Sequence, residues 1–402
     1  MPHSPAARPE EIRRHNLGLL LEHVHLEGEL TRAALTQRLG LNRSTIGALV
    51  AELTSLGMLS EHVPSGRERA GRPSHVVGFR TDGPYTFAAD IEVDRVVCAA
   101  VTLGGQILVR REIRISDGHS DALDVARLIG AALPELAEAL SVRAWPVGLG
   151  VSVPGTVRRS DGRVELAPNL AWKNEPLAQI LAELIPHTLP IHLGNDADLG
   201  ALAEHRLGAG RGCDDLIYLN GKIGVGGGIV TAGSPLAGHE GLAGEVGHMM
   251  LDSSGPPCHC GGYGCVETYI GEQALLRLCG RSEPATREIV AEIFAAARAG
   301  DVAAIAGVRA VGVSLGRTVA SLVNLLNPQM VIMGGSLGDV LELARCQIEE
   351  EMERRAMAAS RQGVELRSAG LADDSSLLGA ANLAFRPLFV DPIAVGQLRP
   401  VA

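Results

Sequence analysis

Apolar positions in the first 80 residues recur at helical spacing in three short blocks. Ile12, Leu17, Leu20, Leu21 and Val24 predict a helix over Glu11 to Leu26, which Gly28 ends. Thr31 is placed to cap a second helix, Arg32 to Leu39, that turns Ala34, Leu35 and Leu39 inward. Gly40-Leu41-Asn42 makes a turn, and Asn42 caps a third helix from Arg43 to Leu56. Ile46, Leu49, Val50 and Leu53 form its apolar stripe, which leaves Arg43, Ser44, Thr45 and Ala48 nearer the other face. Met58 to His62 and His75 to Phe79 read as short strands around a loop carrying Arg67, Arg69 and Arg72. A helix-turn-helix followed by a basic hairpin is a winged helix. Such a unit sets its third helix in the major groove and its wing on phosphates or in the minor groove. A small helical interaction module is the alternative.

From Pro84 the period changes. Thr86 to Asp90, Val96 to Val101 and Ile107 to Ile115 predict a strand meander, followed by a helix over Asp121 to Leu140. Val147 to Val153 is a buried strand that runs into Pro154-Gly155, and Ile191 to Leu193 is another that runs into Asn195-Asp196. A helix from Ala197 to Leu207, a strand from Leu216 to Leu219 and a glycine loop, Gly221 to Gly228, come next. This order predicts two α/β lobes with a cleft between them, related to each other at the level of the fold.

Composition narrows the class. The chain has 402 residues, 46% hydrophobic and 20% charged, enough apolar material to exclude intrinsic disorder. The expectation is that no apolar run is long enough to span a membrane, and the start shows no signal-peptide pattern. Seven cysteines, three of them between 258 and 265, do not form a disulfide framework and point to a reducing cytoplasm. The net charge of −10 argues against nucleic acid until its distribution is seen. Residues 1–80 carry ten arginines against eight carboxylates, whereas the remainder carries 26 bases against 38 acids. A slightly basic head precedes a strongly acidic body.

The sharpest chemical signal is His248 followed by Cys258, Cys260 and Cys265 among closely spaced glycines and prolines. Thiolate and imidazole in a set of four suit tetrahedral Zn2+, and four protein ligands leave no open position, so the ion is structural. His259 and His239 are rival ligands, and reactive or buried free cysteines are the alternative. Glu245 and Glu267 flank the knuckle, and Asn195-Asp196 follows a buried strand where open α/β sheets place ligand groups. Singly, each reads as a surface or capping residue; together with the knuckle they make a site that suits sugar hydroxyls.

With these residues in view, the chain resembles the ROK family of repressors, open reading frames and sugar kinases. The resemblance rests on PGTV at 154–157, APNLAW at 167–172, NDAD at 195–198, GVGGGIV at 224–230, GEVGH at 244–248 and CHCGGYGCVE at 258–267. It implies a winged helix-turn-helix DNA-binding domain over 1–80. A two-lobed actin-like, sugar-kinase-like ATPase fold would follow, with a first lobe at 84–195. The second lobe, 196–402, would hold the zinc knuckle, its C-terminal helix returning to the first. It also implies sugar contacts at Asn195, Asp196, Glu245, His248 and Glu267, with Gly155 and Asn169 lining the same pocket. His248, Cys258, Cys260 and Cys265 match the zinc ligands, and in the kinases the residue matching Asp196 is the general base.

The departures separate kinase from sensor. Family kinases open the first lobe with an Asp-Ile-Gly-Gly-Thr type of loop around the ATP phosphates. This chain reads Asp90-Ile91-Glu92-Val93-Asp94-Arg95, with carboxylates where phosphate oxygens would lie. The second phosphate loop carries Lys222 in place of threonine, which could still meet a phosphate, and Asp198 replaces an amide. The expectation is therefore a DNA-binding regulator, a repressor without kinase catalysis, whose body binds a small sugar. Arg43, Ser44 and Thr45 would read operator DNA, with Arg67, Arg69 and Arg72 on the wing, in a homodimer or homotetramer without a membrane partner. An ATP-dependent sugar kinase with a fused DNA-binding head is the alternative, and control by a protein partner is a third reading.

Overall fold

Thr31 and Asn42 start their helices by supplying acceptors to otherwise unpaired backbone N–H groups. Thr31 Oγ1 accepts from Ala34 N–H at 3.1 Å and Asn42 Oδ1 from Thr45 N–H at 2.8 Å. A computed structural model describes residues 8–63, 75–115, 121–141, 143–397 and 399. Its first unit holds helices Pro9–Glu27, Arg32–Leu39 and Arg43–Ser55. Beside them lies a three-stranded antiparallel sheet in the order Leu30–Thr31, Val76–Phe79, Leu59–His62. The two-residue edge strand is too short to show a period, so sequence pattern missed it. Arg67, Arg69 and Arg72 lie outside the described residues.

The head shares its core with the body. Leu17, Leu20, Leu21, Val24, Leu35 and Ile46 form one apolar cluster with Trp145, Phe385 and Leu388. Ile12, expected inside, is 49% exposed, because the first helix meets the body only from its second turn onward. There Gly18 lies so close to the Phe389 carbonyl that any Cβ would overlap it.

The body holds two five-stranded sheets with one plan. In the first, Pro84–Ile91 pairs antiparallel with Arg95–Thr102, which pairs with Ile107–Arg114. On its other side Pro84–Ile91 runs parallel to Trp145–Val153, which runs parallel to Ile191–Asn195. In the second, Leu216–Gly221, Val225–Thr231 and Ser234–Pro235 form the antiparallel half, and Met330–Gly335 and Glu365–Ser368 add the parallel half. The expected relation between two α/β lobes is therefore visible as identical strand order and direction.

Helix Ser375–Val390 packs on the first sheet, where Leu377, Leu378, Ala380 and Ala381 meet Ala88, Val97, Ala99 and Val101. Helix Asp196–Arg206 lies between this helix and the second sheet.

Two expectations need correction. The glycine loop is mostly a strand, with only Lys222 to Gly224 left as a turn. Its glycines serve close packing: a Cβ at Gly226 would lie 2.7 Å from that of Ala197, and one at Gly228 would overlap the Ala197 carbonyl. Secondly, helix Val302–Leu326 is long and apolar enough, by length and composition, to cross a membrane. It is a core helix of the second lobe, burying Val308, Val311, Leu315, Val319 and Val323 with Leu219 and Val331.

Candidate functional site

Asn195 ends a parallel strand and caps the helix that follows. Its Oδ1 accepts from the N–H groups of Ala197 and Asp198 at 2.9 and 3.0 Å, and its Nδ2 donates to the Gly155 carbonyl at 3.0 Å. That ties the turn after strand Trp145–Val153 to the start of helix Asp196–Arg206. Asn195 also borders a cavity of about 620 Å³.

Gly155, Asn169, Asn195, Asp196, Glu245, His248 and Glu267, all singled out from sequence, line this one cavity. Asn169 comes from the short helix Pro168–Leu170, and Glu245 and His248 from the turn around Val246–His248. Glu267 starts the helix Glu267–Ile270. Gly224 closes the wall: a Cβ there would stand 2.9 Å from Asn169 Nδ2 and 3.1 Å from Glu267 Oε2.

Asp196 is buried, and its Oδ2 accepts from Asn220 Nδ2 at 3.1 Å. Burial pushes its carboxyl up to about 6 against the pull of Lys222. Burial likewise lifts Asp198 to about 7, opposed by Arg159 at 4.0 Å. Glu272 rises to about 7 for the same reason. Asn220 and Glu272 escaped sequence reasoning. A lone Asn inside an apolar strand was the signal for the first, and nothing around Gly271-Glu272 marked the second.

His248, Cys258, Cys260 and Cys265 place their ligand atoms within 4.8 Å of one another. Cys260 Sγ and Cys265 Sγ are 3.8 Å apart, and Cys258 Sγ lies 3.7 Å from His248 Nδ1. A tetrahedron with Zn–S arms of about 2.3 Å has edges of about 3.8 Å, so the donor set fits a four-coordinate ion. His239 and His259 are not in the cluster. His248 spans two environments: Nδ1 faces the thiols, whereas Nε2 lies 4.0 Å from Glu245 on the cavity side. The one imidazole therefore lies between the thiols and the cavity.

On the wall of the same cavity the two expected phosphate loops meet each other. Lys222 Nζ lies 2.7 Å from Glu92 Oε1 and 3.2 Å from Asp90 Oδ2. Arg95 reaches the other oxygen of Glu92 at 2.5 Å. Burial alone would push Lys222 down, but Asp90, Glu92 and Asp196 outweigh it and hold the ammonium charged. Burial would raise Glu92, but Lys222 and Arg95 hold it below the usual carboxylate range. The sequence left Lys222 free to meet a phosphate; here it meets carboxylates.

On the third helix of the head, Arg43 and Ser44 are exposed and Thr45 is half-buried. Both hydroxyls donate to Asn42 Oδ1, at 2.6 and 2.9 Å, so they form part of the helix cap.

Residues 86–386 match the ROK family. The chain belongs to the ROK family. The xylose repressor of Caldicellulosiruptor bescii is 27% identical over 393 residues, 95% of this chain and 98% of its own. A glucokinase of Thermotoga maritima is 32% identical over 302 residues, 70% of this chain and 92% of its own. Among solved structures, a ROK family transcriptional regulator described as a homologue of the E. coli MLC protein superposes with a TM-score of 0.77. It is 25% identical and covers 97% of this chain and all of its own. A ROK glucokinase from Streptomyces griseus, in complex with glucose and AMPPNP, gives a TM-score of 0.64 at 29% identity over 75% of this chain and 99% of its own. The fold is thus the two-lobed, actin-like ROK body with an N-terminal helical head. The repressor and the regulator span nearly all of this chain, head included, whereas the two kinases span three quarters or less.

Proposed function

We propose that this ROK protein is a DNA-binding transcriptional repressor whose body binds a sugar that alters operator binding. The observation that carries this reading is the union of an N-terminal helical head with a cavity lined by the seven residues named above, in a chain whose Lys222 is held by Glu92 and Asp90. Gly155, Asn169, Asn195, Asp196, Glu245, His248 and Glu267 hold the sugar. His248, Cys258, Cys260 and Cys265 hold a structural Zn2+, which fixes the knuckle and with it Glu245 and Glu267. Residues 1–80 bind DNA, 84–195 form the first lobe, and 196–402 form the second.

Arg43 meets bases or phosphates, whereas Ser44 and Thr45 contribute as acceptors at the helix start. Arg67, Arg69 and Arg72 add a wing contact. Homodimers place two heads on paired half-sites, and sugar closing the cleft changes their spacing. The acidic body repels DNA and confines binding to the heads. The xylose repressor similarity, at 27% identity over 95% of the chain, supports this regulator reading in a cytoplasmic protein.

A second reading, a sugar kinase with a fused head, draws on the glucokinase similarity. Lys222 in ion pairs with Glu92 and Asp90 counts against it. The test has two parts. Duplex DNA selected from a random pool by the protein is titrated with and without each monosaccharide, and ADP release is followed after adding Mg-ATP. A sugar that weakens DNA binding while no ADP appears supports the repressor. Sugar-dependent ADP release supports the kinase, and DNA binding indifferent to every sugar removes the sensor.

A further inference from the structure

Lys222 and Arg95 supply two cations to the phosphate end of the cavity, and Asp90 and Glu92 supply two carboxylates. With Glu112, which Arg95 reaches at 3.0 Å, the set holds more carboxylates than cations. It also bridges the lobes, because Asp90 ends a strand of the first sheet whereas Lys222 follows a strand of the second. The two carboxylates are not equivalent. Asp90 is 2% exposed, contacts Lys222 through one oxygen, and among the described residues its other oxygen has no hydrogen bond. Glu92 lines the cavity and uses both oxygens, one on Lys222 and one on Arg95. It is therefore Glu92 that stands between these cations and whatever enters.

Around this cluster Gly224 lines the cavity, whereas Gly221 and Gly335 pack against each other and the Ser336 hydroxyl donates to the Gly221 carbonyl. Two cations at a cavity wall are what a phosphate group needs. Glu92 occupies that position with a carboxylate of the chain's own. An incoming phosphate would have to break both ion pairs and leave Glu92 desolvated and unpaired beside it, a like-charge contact in a partly buried cleft.

We propose that Glu92 is a specificity-determining residue that sets the charge the cavity accepts: by neutralising Lys222 and Arg95 it excludes phosphorylated ligands, so the ligand is a sugar without a phosphate ester. The exclusion follows from the ion cluster alone; the identity of the ligand as a sugar rests on the function proposed above.

The experiment uses inorganic pyrophosphate, without magnesium, as the probe of the full-length protein, read by calorimetry and thermal shift. Four proteins are compared: wild type, Glu92→Gln, Lys222→Met and the double variant. Glu92→Gln keeps the side-chain shape and takes away the negative charge that Lys222 and Arg95 share. Wild type and Lys222→Met are expected to bind pyrophosphate equally weakly, through head arginines at most. Glu92→Gln is expected to gain roughly tenfold or more in affinity, and the double variant to lose that gain. Glu92→Ser provides the same test should the Gln variant fold poorly.

Equal binding by wild type and both Glu92 variants overturns the proposal, as does a gain that survives Lys222→Met. A monosaccharide phosphate that binds wild type more tightly than its parent sugar also overturns it. The pyrophosphate arm needs no sugar, so failure of every sugar to bind would sink the sensor reading and leave the role of Glu92 to stand or fall separately.

Discussion

His25 Nε2 lies 3.1 Å from Oδ1 of Asn382, which joins the first helix of the head to the last long helix of the body. The other ring nitrogen, Nδ1, accepts from the Gly104 N–H at 2.9 Å, so Nε2 carries the proton and donates to Asn382. The ring is 2% exposed and packs against Phe385 and Phe389 at centroid distances of 5.6 and 5.0 Å. Arg206, at the end of the helix that begins at Asp196, reaches Glu22 at 3.2 Å and Asn382 at 3.4 Å. A polar joint of this kind fixes the head on the body in one orientation, which apolar packing alone would not do.

The joint makes stability depend on pH. Burial pushes His25 from its usual 6.5 down to about 4, so the folded protein keeps it neutral while the unfolded chain protonates. The contribution is complete above pH 6.5 and is lost as pH falls from there towards 4. By pH 5 this amounts to about 2 kcal/mol. Denaturant titrations of wild type and His25→Gln at pH 7.5, 6 and 5 should therefore converge as the pH drops. Parallel profiles would mean that His25 titrates normally.

The metal cluster makes a separate prediction. Four donors on a loop held otherwise by isolated bridges and turn hydrogen bonds should depend on their ion for order. Elemental analysis should find one zinc per chain. Chelation, or Cys260→Ser, should lower the melting temperature by ~5 °C or more. It should also weaken any sugar binding, because Glu267 follows the last cysteine by two residues and Cys258 Sγ lies 2.7 Å from its Oε1. A metal-free protein with unchanged melting and ligand binding would contradict the structural role.

Much of this was legible because local chemistry forces it. Thr31 and Asn42 cap their helices wherever the rest of the chain goes, and a histidine and three cysteines so closely spaced have few uses besides holding a metal. The long-range pairings were not legible. Lys222 and Glu92 are 130 positions apart and His25 and Asn382 are 357 apart, and no periodicity relates them. The glycine strand misled for a related reason. A run of glycines is compatible with a phosphate loop or with close helix packing, and only the position of Ala197 decides between them.

Gly150 gives a test of the layer packing. It sits in the central parallel strand, beneath helix Ser375–Val390, and a Cβ there would overlap the Ala380 carbonyl oxygen and carbon. Backbone on the helix side cannot rotate away as a side chain could. Gly150→Ala should cost about 1–3 kcal/mol, measured by denaturant unfolding. Gly300→Ala, where a Cβ meets open space but φ is +94°, should cost less, since only local backbone strain at a surface turn is added. Equal stability of Gly150→Ala and wild type would mean that this helix sits farther from the sheet.

Asp196 sets the pH range in which a ligand should bind. Its Oδ2 is held by Asn220, and the carboxyl lines the cavity, where it can accept from a hydroxyl of the ligand. Ionised, the carboxylate accepts such a bond strongly; protonated, it loses an acceptor. Burial raises its carboxyl to about 6, so affinity should be level above pH 7 and fall as pH drops through 6. Asp196→Asn should lower affinity at least roughly tenfold at pH 7.5 and remove most of the pH dependence, because an amide cannot titrate. DNA binding in the absence of ligand should be unchanged in the variant, since Asp196 lies in the body cavity. Calorimetric titration of the strongest sugar from the screen, across pH 5–8, measures all three. Affinity that rises as the pH falls would show that Asp196 acts as a donor, which is the opposite assignment of its proton.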